Sequence, residues 1–195
     1  IASWTEPMKD DFRITVLDVG QGQCILLQSE GRNYLVDCGS YSESYAADRA
    51  AGMLLSQGIT RLDGVILTHF DSDHAGGVAY LLTRVSADYL FLPDCPDEDE
   101  TSQALYAYTE GAVQTVLKDM VVSFGNTKIS IIPSKSASSN NESGLAILFQ
   151  TKNCDILILS IKKRVLPCFQ ISIPIPFFAM VIIPPKKLSK KLRKK

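Results

Sequence analysis

Short apolar segments separated by glycine-containing turns dominate the first part of the chain. They are rich in β-branched residues, a composition that favours strands. The tight turns between them predict that neighbouring strands pair as an antiparallel meander. The predicted strands are Phe12–Val19, Gln23–Gln28 and Asn33–Asp37.

After this meander the pattern predicts helices that alternate with apolar strands. Ser40 and Glu43 have the spacing of a capping box, and Gly58 is suited to end the helix that they would open. Val65–Thr68 is a short apolar run, which predicts a strand buried on both faces. Together the elements predict an α/β fold of the layered α+β kind, in which helices cover mixed sheets. The other predicted elements are helices at Gly77–Val85 and from Asp97 to about Lys118, and strands at Tyr89–Leu92, Val121–Phe124, Lys128–Ile132, Leu145–Gln150 and Asp155–Leu159.

The net charge of −1 conceals two parts of opposite sign. Residues 1–160 contain all 21 acidic residues and 10 of the 20 basic ones, a net charge of −11. Residues 161–195 contain the other 10 basic residues and no acidic residue, a net charge of +10. We therefore expect one domain in residues 1–160 and a basic, proline-rich tail in residues 161–195 that is non-native or disordered. Prolines interrupt the uncharged part of this tail, so it is not expected to cross a membrane as a helix.

The first residues and the cysteines narrow the class of protein further. The chain begins at Ile1, so we expect a piece of a longer or processed product. Residues 1–11 lack the apolar region of a signal peptide. The five cysteines are odd in number and show no paired spacing. This usage predicts buried thiols rather than a disulfide framework or a zinc ribbon.

Both histidines of the chain lie in one acidic segment. His69 and His74 enclose Asp71 and Asp73, directly after the predicted strand Val65–Thr68. Ligand-binding groups collect on loops that leave the carboxyl ends of strands, and four ligands here need little chain closure. The segment therefore predicts a metal site, the alternative being two hydrogen-bonded histidines in a solvated acidic loop.

The ligand types indicate which metals such a site would hold. In an extended loop, His69, Asp71 and Asp73 would point to one side and His74 to the other, and a turn could divide them between two ions. Two adjacent ions activate a water molecule and stabilise the leaving oxygen in hydrolysis. Nitrogen and oxygen ligands without thiolate suit zinc, manganese or iron, and the extra carboxylate favours manganese or magnesium.

Two motifs resemble those of a known superfamily. The segment THFDSDHAGG, from Thr68 to Gly77, resembles the HxHxDH signature of the metallo-β-lactamase superfamily in an HxDxDH variant. The segments LDVGQGQCILLQ and NYLVDCGS resemble the strands of one branch, the ComEC-type competence proteins, whose domain is attached to a membrane channel for DNA uptake. Gln23 departs from that branch, which often has Asp there. The resemblance covers residues 12–159 and implies an αββα sandwich, here incomplete.

The resemblance implies a role for each polar residue of the signature. His69 and Asp71 would bind a first divalent ion, and Asp73 and His74 a second, with manganese or zinc as the expected metals. Asp73 would also be the catalytic residue that orients or deprotonates the attacking water.

Three groups outside the signature receive roles as well. Asp37, at the end of its strand, would orient a metal-ligand histidine, and Asp18 would act similarly. The alternative for both is a strand-end carboxylate that caps backbone N–H groups. Three glycines, Gly20, Gly22 and Gly39, are predicted to be turn residues and not ligands.

The sequence also departs from the superfamily pattern after residue 159. A Thr-Gly-Asp segment and a later His-His-Gly segment are expected, but the chain continues Leu159-Ser160-Ile161 and has only two histidines. The departure coincides with the change of charge, so our hypothesis is a reading-frame change near Leu159 that leaves the domain truncated. Loss of these ligands would lower metal affinity and impair water activation.

The leading interpretation is a metal-dependent hydrolase, a phosphodiesterase or nuclease acting on DNA in competence-type uptake, at the extracytoplasmic face of a bacterial membrane protein. The alternatives are an inactive remnant of that domain and a non-catalytic metal-binding module whose basic tail binds nucleic acid or membrane. β-Lactamase or thioesterase activity is disfavoured because Asp71 replaces the second histidine. The charge of residues 1–160 also argues against tight non-specific DNA binding. The sequence leaves open whether the chain is an active enzyme.

Overall fold

Two β-sheets packed face to face form the centre of the molecule. The computed structural model describes residues 12–94, 100–108, 110–134, 144–152, 154–159 and 179–183. In chain order the elements are β1 (Arg13–Val16), β2 (Ile25–Ser29), β3 (Arg32–Val36), α1 (Glu43–Ser56), β4 (Arg61–Leu62), β5 (Gly64–Ile66), α2 (Ser72–Ala75), α3 (Val78–Leu82), β6 (Ser86–Ala87), β7 (Tyr89–Pro93), α4 (Glu100–Tyr106), β8 (Ala112–Val116), β9 (Met120–Phe124), β10 (Thr127–Pro133), β11 (Leu145–Gln150), β12 (Asp155–Leu159) and β13 (Ala179–Ile183).

The first sheet is mixed and has the order β1-β2-β3-β5-β7-β8. Its first three strands form the predicted antiparallel meander, and β3, β5, β7 and β8 pair in parallel. Parallel neighbours need crossover connections, and the helices α1, α3 and α4 lie on these connections. The carboxyl ends of β3, β5 and β7 therefore meet at one edge of the sheet. The short strands β4 and β6 form a separate parallel pair.

The second sheet is antiparallel throughout, in the order β13-β12-β11-β10-β9. Its strand β13 lies within the residues for which a non-native or disordered tail is expected. The remainder of that tail lies outside the described residues, so the boundary at residue 160 stays a prediction. No helix in the described ranges is both long and apolar enough to cross a membrane.

Two apolar cores separate three layers. On β5, Val65 and the following Leu67 pack into a core shared with the helices, whereas Ile66 packs into the core between the sheets. Along β2, Ile25 and Leu27 face the second sheet, because successive side chains of a strand alternate between its faces. The prediction of a layered α/β fold with a doubly buried central strand is therefore confirmed.

The helix predicted from Asp97 to about Lys118 is wrong over most of its length. Helix α4 ends at Tyr106, and Ala112–Val116 forms β8 at the edge of the first sheet. A Cβ atom on Gly111 would lie 2.1 Å from the carbonyl oxygen of Ala87, so the chain approaches the sheet more closely here than a side chain would permit. Pairing with β7 overrode the helical pattern. Residues 97–99 of the prediction lie outside the described residues.

The predicted capping box at the start of α1 is also wrong. Ser42, and not Ser40, is the N-cap residue, and its side chain makes no capping hydrogen bond. The Ser40 hydroxyl instead donates to the carbonyl of Ser42, so it is already engaged in the turn that precedes the helix. The predicted end of the helix is confirmed: Gly58 has a φ of +75°, a conformation that glycine adopts without strain.

Candidate metal centre

The two histidines lie at the carboxyl end of β5, at the edge where the parallel strands end. The segment after His69 is extended at Asp71 but turns into a helix at Ser72–Ala75, so the fully extended loop considered from the sequence is not formed. Asp71 is the N-cap of the short helix α2, and its carbonyl accepts hydrogen bonds from the backbone N–H groups of His74, at 2.9 Å, and Ala75, at 2.8 Å. This helical turn brings Asp73 and His74 back towards His69.

All four predicted ligands lie close to one another. His69, Asp73 and His74 each offer a ligand atom within 4.8 Å of the other two. The centroids of the two imidazole rings are 3.8 Å apart. Asp71 approaches this group through His69, whose Nε2 lies 3.4 Å from the Asp71 carboxylate, and His74 Nε2 lies 3.8 Å from that of Asp73. These contacts join the residues that the resemblance pairs, and the division between two ions stays a prediction.

Asp37 lies fully buried behind the His74 ring. Its Oδ2 is 2.7 Å from His74 Nδ1, and its Oδ1 accepts a 2.6 Å hydrogen bond from the backbone N–H of Thr68. Asp37 thus makes both contacts foreseen for it, one to a histidine and one to the backbone. Its φ of 59° is unusual for a residue other than glycine and turns the chain at the end of β3.

Thr68 is a part of the site that the sequence analysis missed. Its hydroxyl donates to Asp37 Oδ2 at 2.6 Å and lies 3.2 Å from His69 Nδ1, from which it can accept. Each imidazole therefore has its Nδ1 directed towards the buried Asp37 and Thr68, and its Nε2 towards a carboxylate of the loop. A hydroxyl residue directly before the first histidine was the available signal in the sequence.

The two histidines have different proton affinities. Burial, together with the neighbouring His74, lowers the pKa of His69 from 6.5 to about 4. Burial also acts to lower the pKa of His74, but the hydrogen bond and the charge of Asp37, with Asp73 and Asp71, outweigh it and raise the pKa. His69 is therefore neutral at pH 7, the form in which an imidazole binds a metal.

Backbone hydrogen bonds hold the loop from His69 to Gly77, called the metal loop below, against two other loops. The carbonyl of Asp73 accepts from Gln23 N–H, and the carbonyl of His74 accepts from Cys38 N–H, both at 2.9 Å. The Cys38 carbonyl in turn accepts from Gly77 N–H at 2.8 Å. The positions of Asp73 and His74 thus depend on residues before β2 and after β3.

Two glycines permit this close packing. A Cβ atom on Gly39 would lie 2.3 Å from the backbone nitrogen of His74, and one on Gly22 would lie 2.1 Å from the carbonyl oxygen of Gly39. Their interpretation as turn residues is thus incomplete, because no side chain fits at either position. Gly20, with a φ of +71°, does serve the turn. Asp18 accepts from the Gly20 N–H at 3.2 Å, which is the backbone-capping alternative considered for it.

The described cysteines fit the expectation of unpaired thiols. Cys24, Cys38 and Cys154 are free, and the first two are fully buried behind the metal loop. A hydrogen bond with Cys38 and, to a smaller extent, burial raise the pKa of the Cys24 thiol, so it stays protonated. Cys95 and Cys168 lie outside the described residues.

Comparison with known proteins agrees with this geometry. The model of the metallo-beta-lactamase superfamily matches residues 17–89, which contain β2, β3 and the whole loop from His69 to Gly77. The metallo-beta-lactamase SMB-1 superposes with a TM-score of 0.56 at 15% sequence identity, over 82% of this chain and 65% of that one. Residues 17–89 are thus similar to the metallo-β-lactamase superfamily, and the chain has the fold of that class.

Two curated relatives carry names from competence and recombination. Competence protein ComA of Neisseria gonorrhoeae is 35% identical over 69 residues, which is 35% of this chain and 10% of that protein. Recombination protein 2 of Haemophilus influenzae is 38% identical over 76 residues, 38% of this chain and 10% of that protein. The predicted resemblance to competence proteins is confirmed, and the matched segment spans only about a tenth of the length of these relatives.

Proposed function

We propose that the chain carries a metal-dependent hydrolase site that acts on phosphodiesters, with DNA as the substrate. One observation carries the proposal: His69, Asp73 and His74 converge within 4.8 Å, and Asp37 and Thr68 hold the two rings from behind. Two imidazoles and a carboxylate suit zinc or manganese. A divalent cation supplies Lewis-acid activation of water and of the phosphoryl group.

Each residue then has a defined task. His69 and His74 would bind through Nε2, because their Nδ1 atoms face Thr68 and Asp37. Asp37 would keep the proton of His74 on Nδ1, which leaves the Nε2 lone pair available as a ligand. Asp73, about one third exposed, can both bind a cation and accept the proton of the attacking water. Asp71 would bind the same ion as His69, since its carboxylate lies 3.4 Å from His69 Nε2.

The substrate class rests on the relatives and on charge. The two curated relatives are named for competence and recombination, a context in which DNA is the molecule handled. Residues 1–160 have a net charge of −11, which repels a polyanion. Bound cations would offset this charge locally, so we expect DNA to engage the site only when it is loaded with metal. We further propose a membrane-channel partner and an extracytoplasmic location, by the same resemblance.

The test is hydrolysis by the whole chain loaded with Mn²⁺ or Zn²⁺, assayed on single- and double-stranded DNA and on bis(p-nitrophenyl) phosphate. Asp73→Ala and His74→Ala should each lower the rate at least 100-fold. The matched control is Asp48→Ala, since Asp48 is a 69% exposed carboxylate paired only at the surface with Arg84. Equal rates in the parent chain and both site variants would show that the loop is not catalytic.

Metal binding without turnover is the outcome that would favour the other interpretations, a remnant or a non-catalytic metal-binding module. Bound Zn²⁺ and Mn²⁺ should therefore be measured on the same preparations as the rates. Loss of bound metal in His74→Ala, in a chain that hydrolyses none of the substrates, would identify the loop as a binding site only.

A further inference from the structure

Gln23 connects three parts of the candidate metal centre. Its side chain is buried, with only 5% of the residue exposed. Its backbone N–H donates to the Asp73 carbonyl at 2.9 Å, and its carbonyl accepts from Gly39 N–H at 3.0 Å. Its side-chain Nε2 donates to Asp37 Oδ2 at 2.8 Å. The residue is thus fixed at its backbone, and its amide is directed at the carboxylate that contacts His74.

The Asp37 carboxylate depends on its donors for its orientation. Oδ2 is contacted by Gln23 Nε2, by the Thr68 hydroxyl and by His74 Nδ1, all within 2.8 Å. Thr68 contacts the carboxylate from the end of β5, the neighbour of β3, whereas Gln23 contacts it from the β1–β2 connection. Without the amide, one side of the carboxylate would lose its polar contact, and its angle to the imidazole would be less restricted.

The other end of the same amide has no corresponding contact. Gln23 Oε1 is buried and has no hydrogen-bond partner in the described part of the chain. A buried acceptor without a donor lowers stability, so methionine would relieve this cost, but it would also remove one donor from the buried Asp37 carboxylate. The amide acts on the metal centre through Nε2, the end that contacts Asp37.

We propose that Gln23 is a positioning residue of the metal centre: its amide holds Asp37 against the His74 ring and thereby sets the affinity of the site for a divalent cation. The proposal rests on the function proposed above, since it takes His74 to be a metal ligand. Partners that orient ligand histidines change metal affinity typically by about 10- to 100-fold when they are removed.

The experiment compares Gln23→Met with a matched glutamine, Gln28→Met. Gln28 also donates its Nε2 to a side-chain oxygen, that of Asn33, at 2.9 Å, and it also has a buried Oε1 without a partner. Its contacts are with Asn33 and Gln57, away from the histidines. Zn²⁺ affinity of the whole chain is measured by competition with a chromophoric chelator, and the melting temperature by circular dichroism.

We expect Gln23→Met to weaken Zn²⁺ binding by about 10- to 100-fold and to lower the melting temperature, because the buried Asp37 carboxylate loses one donor while the chain still folds. Gln28→Met should leave Zn²⁺ affinity within about twofold, because its amide does not contact the site. Unchanged affinity in Gln23→Met would overturn the proposal. So would an equal loss of Zn²⁺ affinity in Gln28→Met, because the effect would then follow general destabilisation and not the contact with Asp37.

Two further measurements keep the proposal testable if Gln23→Met does not fold. Gln23→Asn keeps the amide but withdraws it by one methylene, and it should also weaken Zn²⁺ binding. At a pH high enough for His74 to be neutral, nitrogen-15 NMR of the metal-free parent chain should show its single proton on Nδ1, and a single proton on Nε2 would contradict the proposed orientation. If the parent chain itself binds no Zn²⁺, the proposed function fails, which is distinct from equal binding by parent and variant.

Discussion

Asp37 and His74 are 37 positions apart in the chain, yet the Asp37 carboxylate lies 2.7 Å from the Nδ1 atom of the His74 ring. The contact joins the end of β3 to the loop that follows β5, two neighbouring strands of the first sheet. Because parallel strands end at the same edge, the carboxylate of one loop comes to lie beneath the imidazole of the next. The sheet order thus positions the candidate metal ligand.

Asp37→Asn should separate the charge of this contact from its shape. We expect the pKa of His74 to fall, because the hydrogen bond and charge of Asp37 are among the causes that raise it. We also expect Zn²⁺ affinity to fall by about 10- to 100-fold. Nitrogen-15 NMR titration and chelator competition measure the two effects. Asp63→Asn is the control, since Asp63 also accepts a backbone N–H, that of Asn33, but far from the histidines.

Thr68→Val removes one hydroxyl with little change of shape. Thr68 is fully buried, and its hydroxyl bridges Asp37 Oδ2 and His69 Nδ1. The loss of these contacts should cost about 1–3 kcal/mol of unfolding free energy and should weaken metal binding. Thr127→Val is the counterpart: Thr127 is buried, and its hydroxyl shares a 2.8 Å hydrogen bond with that of Ser29. Urea unfolding of both, with Zn²⁺ titration, should show similar destabilisation but altered affinity in Thr68→Val alone.

The candidate ligands of the site were predictable because they are local in sequence. His69, Asp71, Asp73 and His74 fall within six consecutive positions, directly after an apolar strand whose two buried faces are themselves visible as a hydrophobic run. The turn geometry between them was not predictable in the same way. The helical turn at Ser72–Ala75 begins at the backbone carbonyl of Asp71, whose side chain makes no capping hydrogen bond, and an acidic sequence is equally compatible with an extended loop.

The supporting contacts could not be predicted because they cross between distant segments. Gln23 and Cys38 hold the metal loop through backbone groups, which every residue type possesses, so their identity carries no signal. The same limit explains the error at residues 112–116. Their pairing with β7 is a tertiary contact, and it overrode a local pattern that favoured a helix.

Gly39→Ala tests whether the metal loop needs the close approach of the loop after β3. The added Cβ would lie 2.3 Å from the His74 nitrogen and 2.4 Å from the Asp73 carbonyl carbon, both backbone atoms that cannot rotate away. We expect a loss of about 1–3 kcal/mol or more in unfolding free energy, together with weaker Zn²⁺ binding.

Gly52→Ala is the contrasting variant for that experiment. Gly52 lies within helix α1, and a Cβ there would meet no atom within 4 Å. Alanine should therefore raise the unfolding free energy by about 0.5–1 kcal/mol, since it favours the helix. If both alanine variants were equally stable and bound Zn²⁺ equally well, the packing described around Gly39 would be wrong.

The metal-free chain should lose stability as the pH falls from 6.5 to about 4, in part because of His69. Its pKa in the folded chain is lowered from 6.5 to about 4, so between these values the unfolded state binds a proton that the folded state does not. This contribution, of the order of 3 kcal/mol, is therefore complete at neutral pH and lost on acidification. The raised pKa of His74 acts in the opposite sense, and its contribution is lost as the pH rises above 6.5. Urea unfolding of the chelator-treated parent chain and of His69→Gln, at several pH values from 4 to 8, measures the difference. His69→Gln should show a shallower decline below pH 6.5, and parallel curves for the two proteins would refute the assignment of this decline to His69.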